Sequence, residues 1–251
     1  MQNILDKENE RIDELNINGY KIYQNTKLFR FGIDAVLLAA FAEFSKKDKL
    51  IDICSGSGII PLLYLARGDV ENITCVEYFE YFCNLIKKSA HLNGCEGRID
   101  VVNCDIKNIA DHFPKSTFDV LTVNPPYEKN GHGIDCPNEI KNAARRETLC
   151  TIDDVVKAAH HLLKTSGRMY MIHRPWRICD IMNSLRNGGF EPRRMQLVSS
   201  KLGDAPNLVL IEAIKGAPAY LKVLADMIIY NDDGSYTKES SQIYTRGFAD
   251  E

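Results

Sequence analysis

The chain has 251 residues, 45% of them hydrophobic and 26% charged, with a formal net charge of −3. This is the composition of a globular chain with room for one full α/β core. No apolar run reaches the roughly 18 residues of a membrane span, and the start Met1-Gln2-Asn3-Ile4-Leu5-Asp6-Lys7-Glu8 lacks the basic-then-apolar pattern of a secretory leader. The eight cysteines contain no C-x-x-C pair, so neither a zinc centre nor a disulfide framework is expected, and unpaired thiols suit the cytoplasm.

Residues 1–20 are polar and read as a loose or short helical arm. Lys21 to Phe31 alternates weakly, as a hairpin would, and Ile33 to Phe44 carries an apolar helical stripe with Asp34 near its start. Lys49 to Cys54 predicts a strand that runs into Ser55-Gly56-Ser57-Gly58, and the apolar run from Ile59 opens a helix over 59–67. Strand, glycine turn and helix together open a nucleotide-binding unit, in which glycines let the backbone approach a ligand. Two details argue against a dinucleotide. Pro61 stands where the third glycine of G-x-G-x-x-G belongs, and Asp52 precedes the turn, where it would repel a pyrophosphate and attract an ammonium group.

The next strand, Asn72 to Val76, ends in Glu77, 25 residues after Asp52, the spacing of an acid that grips ribose hydroxyls. A helix over 79–92 follows. The strand from Arg98 to Asn103 leads to Asp105, an acceptor for an adenine amine or, alternatively, a helix N-cap. Phe118 to Val123 predicts a buried strand that delivers Asn124-Pro125-Pro126-Tyr127 to the same rim. An exocyclic amine is a weak nucleophile because its lone pair is delocalised; an Asn oxygen and a backbone carbonyl that accept its two hydrogens let the lone pair localise. The prolines fix the turn, and the Tyr127 ring can stack on a flat group, with no task assigned to its hydroxyl.

Glu128 to Cys150 is a polar loop of about 20 residues, a length that beside a site is usually functional or disordered. Helices over 152–164 and 175–187 and strands at Gly167–Ile172, Arg194–Ser199 and Leu208–Ile214 complete an alternating pattern, which implies a mostly parallel sheet. His173 and Trp176 read as packing at a strand–helix junction. Charge is uneven. Residues 141–201 carry 12 basic and 5 acidic side chains, whereas 1–140 carry 15 and 21. A basic segment containing Arg145-Arg146 and Arg193-Arg194 beside an acidic cofactor half points to a polyanion partner. The chain divides into an arm, hairpin and helix over 1–48 covering the cofactor site, a core over 49–216 and a tail over 217–251 packed on it.

Four strand ends bearing Asp52, Glu77, Asp105 and Asn124 resemble the S-adenosylmethionine-dependent methyltransferases that carry Asn-Pro-Pro-Tyr. More narrowly, the chain resembles the bacterial tRNA(Val) adenine-37 N6-methyltransferase family. The match runs roughly from Lys21 to Tyr244, through Tyr23-Gln24, Phe31 with Asp34 to Ala39, Ala144 to Glu147, His173-Arg174-Pro175, Glu191 to Arg194 and Tyr236 to Glu239. Arg146 replaces the family's more frequent His, and Gly203 to Asn207 lacks its usual Lys. The resemblance implies a Rossmann-like α/β fold with a mostly parallel seven-stranded sheet and helices on both faces. It implies S-adenosylmethionine held without metal by Asp34, Asp52, Gly56, Gly58, Glu77, Asp105 and Asn124, with Asn124 to Tyr127 as the catalytic residues. Tyr127, Arg145, Arg146, Arg174, Arg193 and Arg194 would meet RNA, a tRNA above all. A protein glutamine N5-methyltransferase shares the four catalytic residues but has a substantial helical domain before its first strand; a nicotinamide-dependent oxidoreductase would share only the glycines and Glu77.

Overall fold

The computed structural model describes residues 9–28, 31–127 and 150–245. Strands and helices follow in the order β3 (Leu50–Ile53), α2 (Ile59–Arg67), β4 (Ile73–Glu77), α3 (Glu80–Leu92), β5 (Ile99–Asn103), β6 (Phe118–Val123), α4 (Ile152–Leu162) and β7 (Leu163–His173), then α5 (Ile178–Asn187), β8 (Phe190–Ser199) and β9 (Leu208–Lys215). The strands lie in the order β8-β9-β7-β6-β3-β4-β5, and only β9 runs antiparallel to its neighbours. The chain winds outward from β3 through β4 and β5, then returns to place β6 on the other side of β3. That reversal opens a crevice at the carboxyl ends of the strands.

Both faces are covered, and the alternation along β3 shows how. Leu50 joins one core with α2 and with α1 (Ile33–Phe41), whereas Ile51 and Ile53 join the other with α4 and α5. Several boundaries follow local chemistry. Helix α2 stops at Gly68, whose φ of 71° is the left-handed cap that glycine favours. Helix α4 starts with a capping box in which Thr151 and Asp154 satisfy each other's backbone N–H groups.

The structure departs from the sequence expectation in three places. Residues 10–14 are not a loose arm: β1 (Glu10–Glu14) pairs antiparallel with β2 (Lys21–Asn25), so the hairpin lies earlier than expected. The sheet has nine strands among the described residues rather than seven, because β10 (Lys222–Val223) and β11 (Met227–Ile228) add to β8. The segment after Gly216 also ends in a helix, α6 (Lys238–Thr245), and Ile229 and Ile243 are buried in the core shared with α1.

Candidate active site

A cleft opens at the crevice, lined by the turn after β3, the end of β4, Asp105 after β5, and Asn124 and Pro126 after β6. Phe31, Phe79, Ile106 and Cys150 supply apolar walls that the sequence reading did not assign, because nothing in their local pattern marks them as ligand-facing.

The turn holds an unusual backbone. Cys54, Gly56 and Gly58 all have positive φ, at 57°, 53° and 83°. Gly56 lines the cleft and a side chain there would meet nothing within 4 Å, so its need is conformational. Gly58 is different from expectation. It does not line the cleft; it caps α2, and a Cβ would stand 2.9 Å from Ile86 Cγ1. Its smallness serves the packing of α2 on α3.

The acids divide in the same way. Glu77 lines the cleft and its two carboxyl oxygens accept the N–H groups of Gly56 and Phe79, each at 2.9 Å. Each oxygen keeps a second lone pair for a ligand hydroxyl. Burial pushes its pKa up to about 7. Asp105 combines both roles foreseen for it: it caps the 3-10 turn Ile106–Asp111, accepting the Lys107 N–H at 3.0 Å, and it lines the cleft. Asp52 is 1% exposed and does not line the cleft. Its Oδ1 accepts the Thr122 hydroxyl at 2.5 Å, while Oδ2 has no hydrogen-bond partner, and burial raises its pKa to about 7. An orphaned buried carboxyl oxygen behind the turn is what a cationic ligand group nearby would relieve.

Asn124 is oriented by Asp34, in the first turn of α1. Its Nδ2 donates to Asp34 Oδ2 at 3.1 Å. The Tyr127 hydroxyl also reaches Asp34 Oδ2, at 2.8 Å, and contacts Asn124 Oδ1. Two residues take contacts that the sequence did not suggest. Asp34 is not a cleft-lining residue; its carboxyl is turned to Asn124 and Tyr127. The Tyr127 hydroxyl, unassigned on sequence, has one proton and two acceptors, so it either supports Asp34 or occupies the Asn124 oxygen. Pro125 is buried beneath the turn.

His173 packs on this group, with its ring centroid 5.1 Å from that of Tyr127. Its Nδ1 accepts the Arg174 N–H at 2.8 Å, which leaves the imidazole proton on Nε2, an atom with no partner. Burial and the neighbouring arginines push its pKa down to about 3, so it is a neutral packing residue and no base. Trp176 was expected to pack as well; instead it is 70% exposed.

The arginines separate. The Arg174 guanidinium lies over the Tyr127 ring, 5.0 Å from its centroid, on the same rim. Arg193 donates to the Pro218 carbonyl and stacks on Tyr220, away from the cleft. Arg194 is engaged within the fold. It sits opposite Glu212, bonds to it and to Glu43, and stacks on Phe41. With Glu212, Tyr170, Thr122 and Asp52, which are successive register partners, it completes a polar row across five strands beneath α1 and α2. Arg145 and Arg146 lie outside the described residues.

A doubly wound sheet with acids at the ends of β3 and β4, and Asn-Pro-Pro-Tyr at the end of β6, defines a Rossmann-like methyltransferase. The family model for the methyltransferase small domain matches residues 32–184, and the chain belongs to that family, alongside the tRNA1(Val) (adenine(37)-N6)-methyltransferases. One of these, from Serratia proteamaculans, is 30% identical over 86% of this chain and 82% of its own length. Another, from Photorhabdus laumondii, is 26% identical over 86% and 87%. Among solved structures, a predicted O-methyltransferase from Agrobacterium tumefaciens superposes with a TM-score of 0.69 at 21% identity, covering 85% of this chain and 96% of that one, a likeness of fold. No helix among the described residues is long and apolar enough to cross a membrane.

Proposed function

We propose that the protein methylates the exocyclic N6 amine of an adenosine in RNA, a tRNA above all, with S-adenosylmethionine as donor. The observation that carries this reading is the Asn124 amide. Its nitrogen is tied to Asp34, so its oxygen is the end left to accept from an amine at the mouth of a cleft that also presents Glu77 and Asp105. The relatives named for adenine-37 methylation of tRNA1(Val) support the substrate class.

The residues present suit the donor. Glu77 would take ribose hydroxyls on its spare lone pairs and Asp105 the adenine amine, while Asp52, buried behind the turn, would favour the ammonium end through space without touching it. When bound, S-adenosylmethionine supplies a methyl already activated on a sulfonium. The protein's work is then positioning. Asn124 Oδ1 and the Pro125 carbonyl accept the amine hydrogens and let its lone pair point along the line of attack; Tyr127 stacks on the flipped base. For the oxygen to be available, the Tyr127 hydroxyl must give its proton to Asp34 instead. Transfer would leave the methylated amine with one proton too many, which solvent at the cleft mouth would take. His173, whose nitrogen facing Arg174 is already an acceptor and whose basicity burial removes, takes no part in that step.

The test is nucleoside mass spectrometry of tRNA incubated with protein and labelled donor. N6-methyladenosine is the expected product. Label in protein glutamine, or none in RNA, contradicts the reading.

A further inference from the structure

Trp176 is the chain's only tryptophan, and it is 70% exposed. A large ring in solvent needs no explanation when it stands alone, but this one does not. It follows directly on β7, the strand beside β6, and so lies on the rim that carries Asn124 to Tyr127. The Arg174 guanidinium carbon is 5.0 Å from the Tyr127 ring centroid and 5.8 Å from that of Trp176, so one planar cation links the inner ring to the outer one. Nη1 of Arg174 is anchored on the Asn207 carbonyl at 3.0 Å, its one side-chain hydrogen bond among the described residues. An arginine has five donors, and this bond uses one of them.

We propose that Trp176 and Arg174 form a second base-binding subsite. It would receive the nucleobase next to the methylated adenosine, stacked on Trp176, while Arg174 meets the phosphate between the two. This rests on the RNA reading above and names how that substrate is gripped. Turning one base out of a loop strips its neighbour of a stacking partner. An aromatic face at the cleft mouth replaces it without regard to sequence, because every base has a π-face. A guanidinium between two rings suits a phosphate or a base plane better than an apolar surface. An apolar protein partner would bring a desolvation penalty for Arg174 with no anion to offset it.

Because the chain has a single tryptophan, red-edge emission reports on Trp176 alone. The full chain, saturated with S-adenosylhomocysteine to prevent turnover, is titrated with an RNA hairpin carrying the target adenosine in its loop. Matching hairpins have an abasic site at one neighbour or the other. The intact hairpin should quench Trp176, and removing one of the two neighbouring bases should abolish the quench and weaken binding. Trp176→Ala should weaken hairpin binding about ten- to a hundred-fold, with cofactor affinity and melting temperature unchanged. Trp176→Phe should recover most of the binding. If wild-type protein methylates the hairpin but its emission does not change and Trp176→Ala binds normally, the subsite is overturned while the RNA reading stands. If wild-type protein neither binds nor methylates RNA, both readings fall.

Discussion

Replacing Asp34 by Ala separates two accounts of the site. On sequence, Asp34 belongs with the cofactor; in the structure its carboxyl holds the Asn124 amide and the Tyr127 hydroxyl, at 3.1 and 2.8 Å. A hydrogen bond to a charged group contributes about 1.5–3 kcal/mol. Asp34→Ala removes the one that keeps the Asn124 nitrogen turned away, so the amide can rotate and present a donor to an amine that needs an acceptor. At 1.36 kcal/mol per tenfold, kcat should fall about 10- to 100-fold. Asp34→Asn, which keeps an acceptor, should restore part of it. The assay is single-turnover methyl transfer at saturating cofactor, with cofactor affinity measured separately by calorimetry. Asp34→Ala with normal turnover but at least tenfold weaker cofactor binding would refute the reasoning and return Asp34 to the cofactor.

Arg194→Ala should act on stability. It removes a charge-assisted hydrogen bond to Glu212 in a mostly buried pair, costing about 2 kcal/mol and lowering the melting temperature by about 4–8 °C, with RNA affinity within twofold of wild type. Weaker RNA binding at an unchanged melting temperature would reverse that assignment. Gly58→Ala should cost more than Gly56→Ala by calorimetry. Both lose a left-handed conformation worth about 1–3 kcal/mol, but only at Gly58 does the new methyl meet a buried side chain, Ile86; equal losses would contradict this. Glu77 gives a pH signature. Its pKa is raised by burial to about 7, above the ordinary carboxylate value, so between the two the folded state binds more protons than the unfolded one. The ligand-free protein should therefore lose stability as pH rises from about 4.5 to 7. Asp52, raised to about 7 as well, adds a slope of the same sign, so Glu77→Gln should reduce the slope without abolishing it; an unchanged slope would clear Glu77 of it.

The parallel core was legible because its strands are short apolar runs closed by polar residues, and the helices after β3 and β4 begin within a few residues of the strand. Glu77 and Asp105, at strand ends, fall into the cleft as the spacing implied. What escaped the sequence depends on contacts between distant segments. Asp34 and Asn124 are 90 residues apart, and no local pattern says that the first orients the second. Arg194 looked like half of a basic pair; its acid partners lie on β9 and just beyond α1. Strand β1 is polar and half-exposed, with little hydrophobic period to read. Strands β10 and β11 are two residues each and take their direction from β8. Trp176 was assigned to packing because tryptophan is usually at least partly covered, and its exposure is visible only once the rim is built.

The central claim is that Asn124 holds the reacting amine. Single-turnover transfer to tRNA by Asn124→Ala, at saturating cofactor, tests it most directly. The account predicts a loss in kcat of about 10²–10³-fold, as for one oriented transition-state hydrogen bond, with cofactor affinity unchanged. Near-normal turnover in that variant would contradict it, even with the cofactor fully bound.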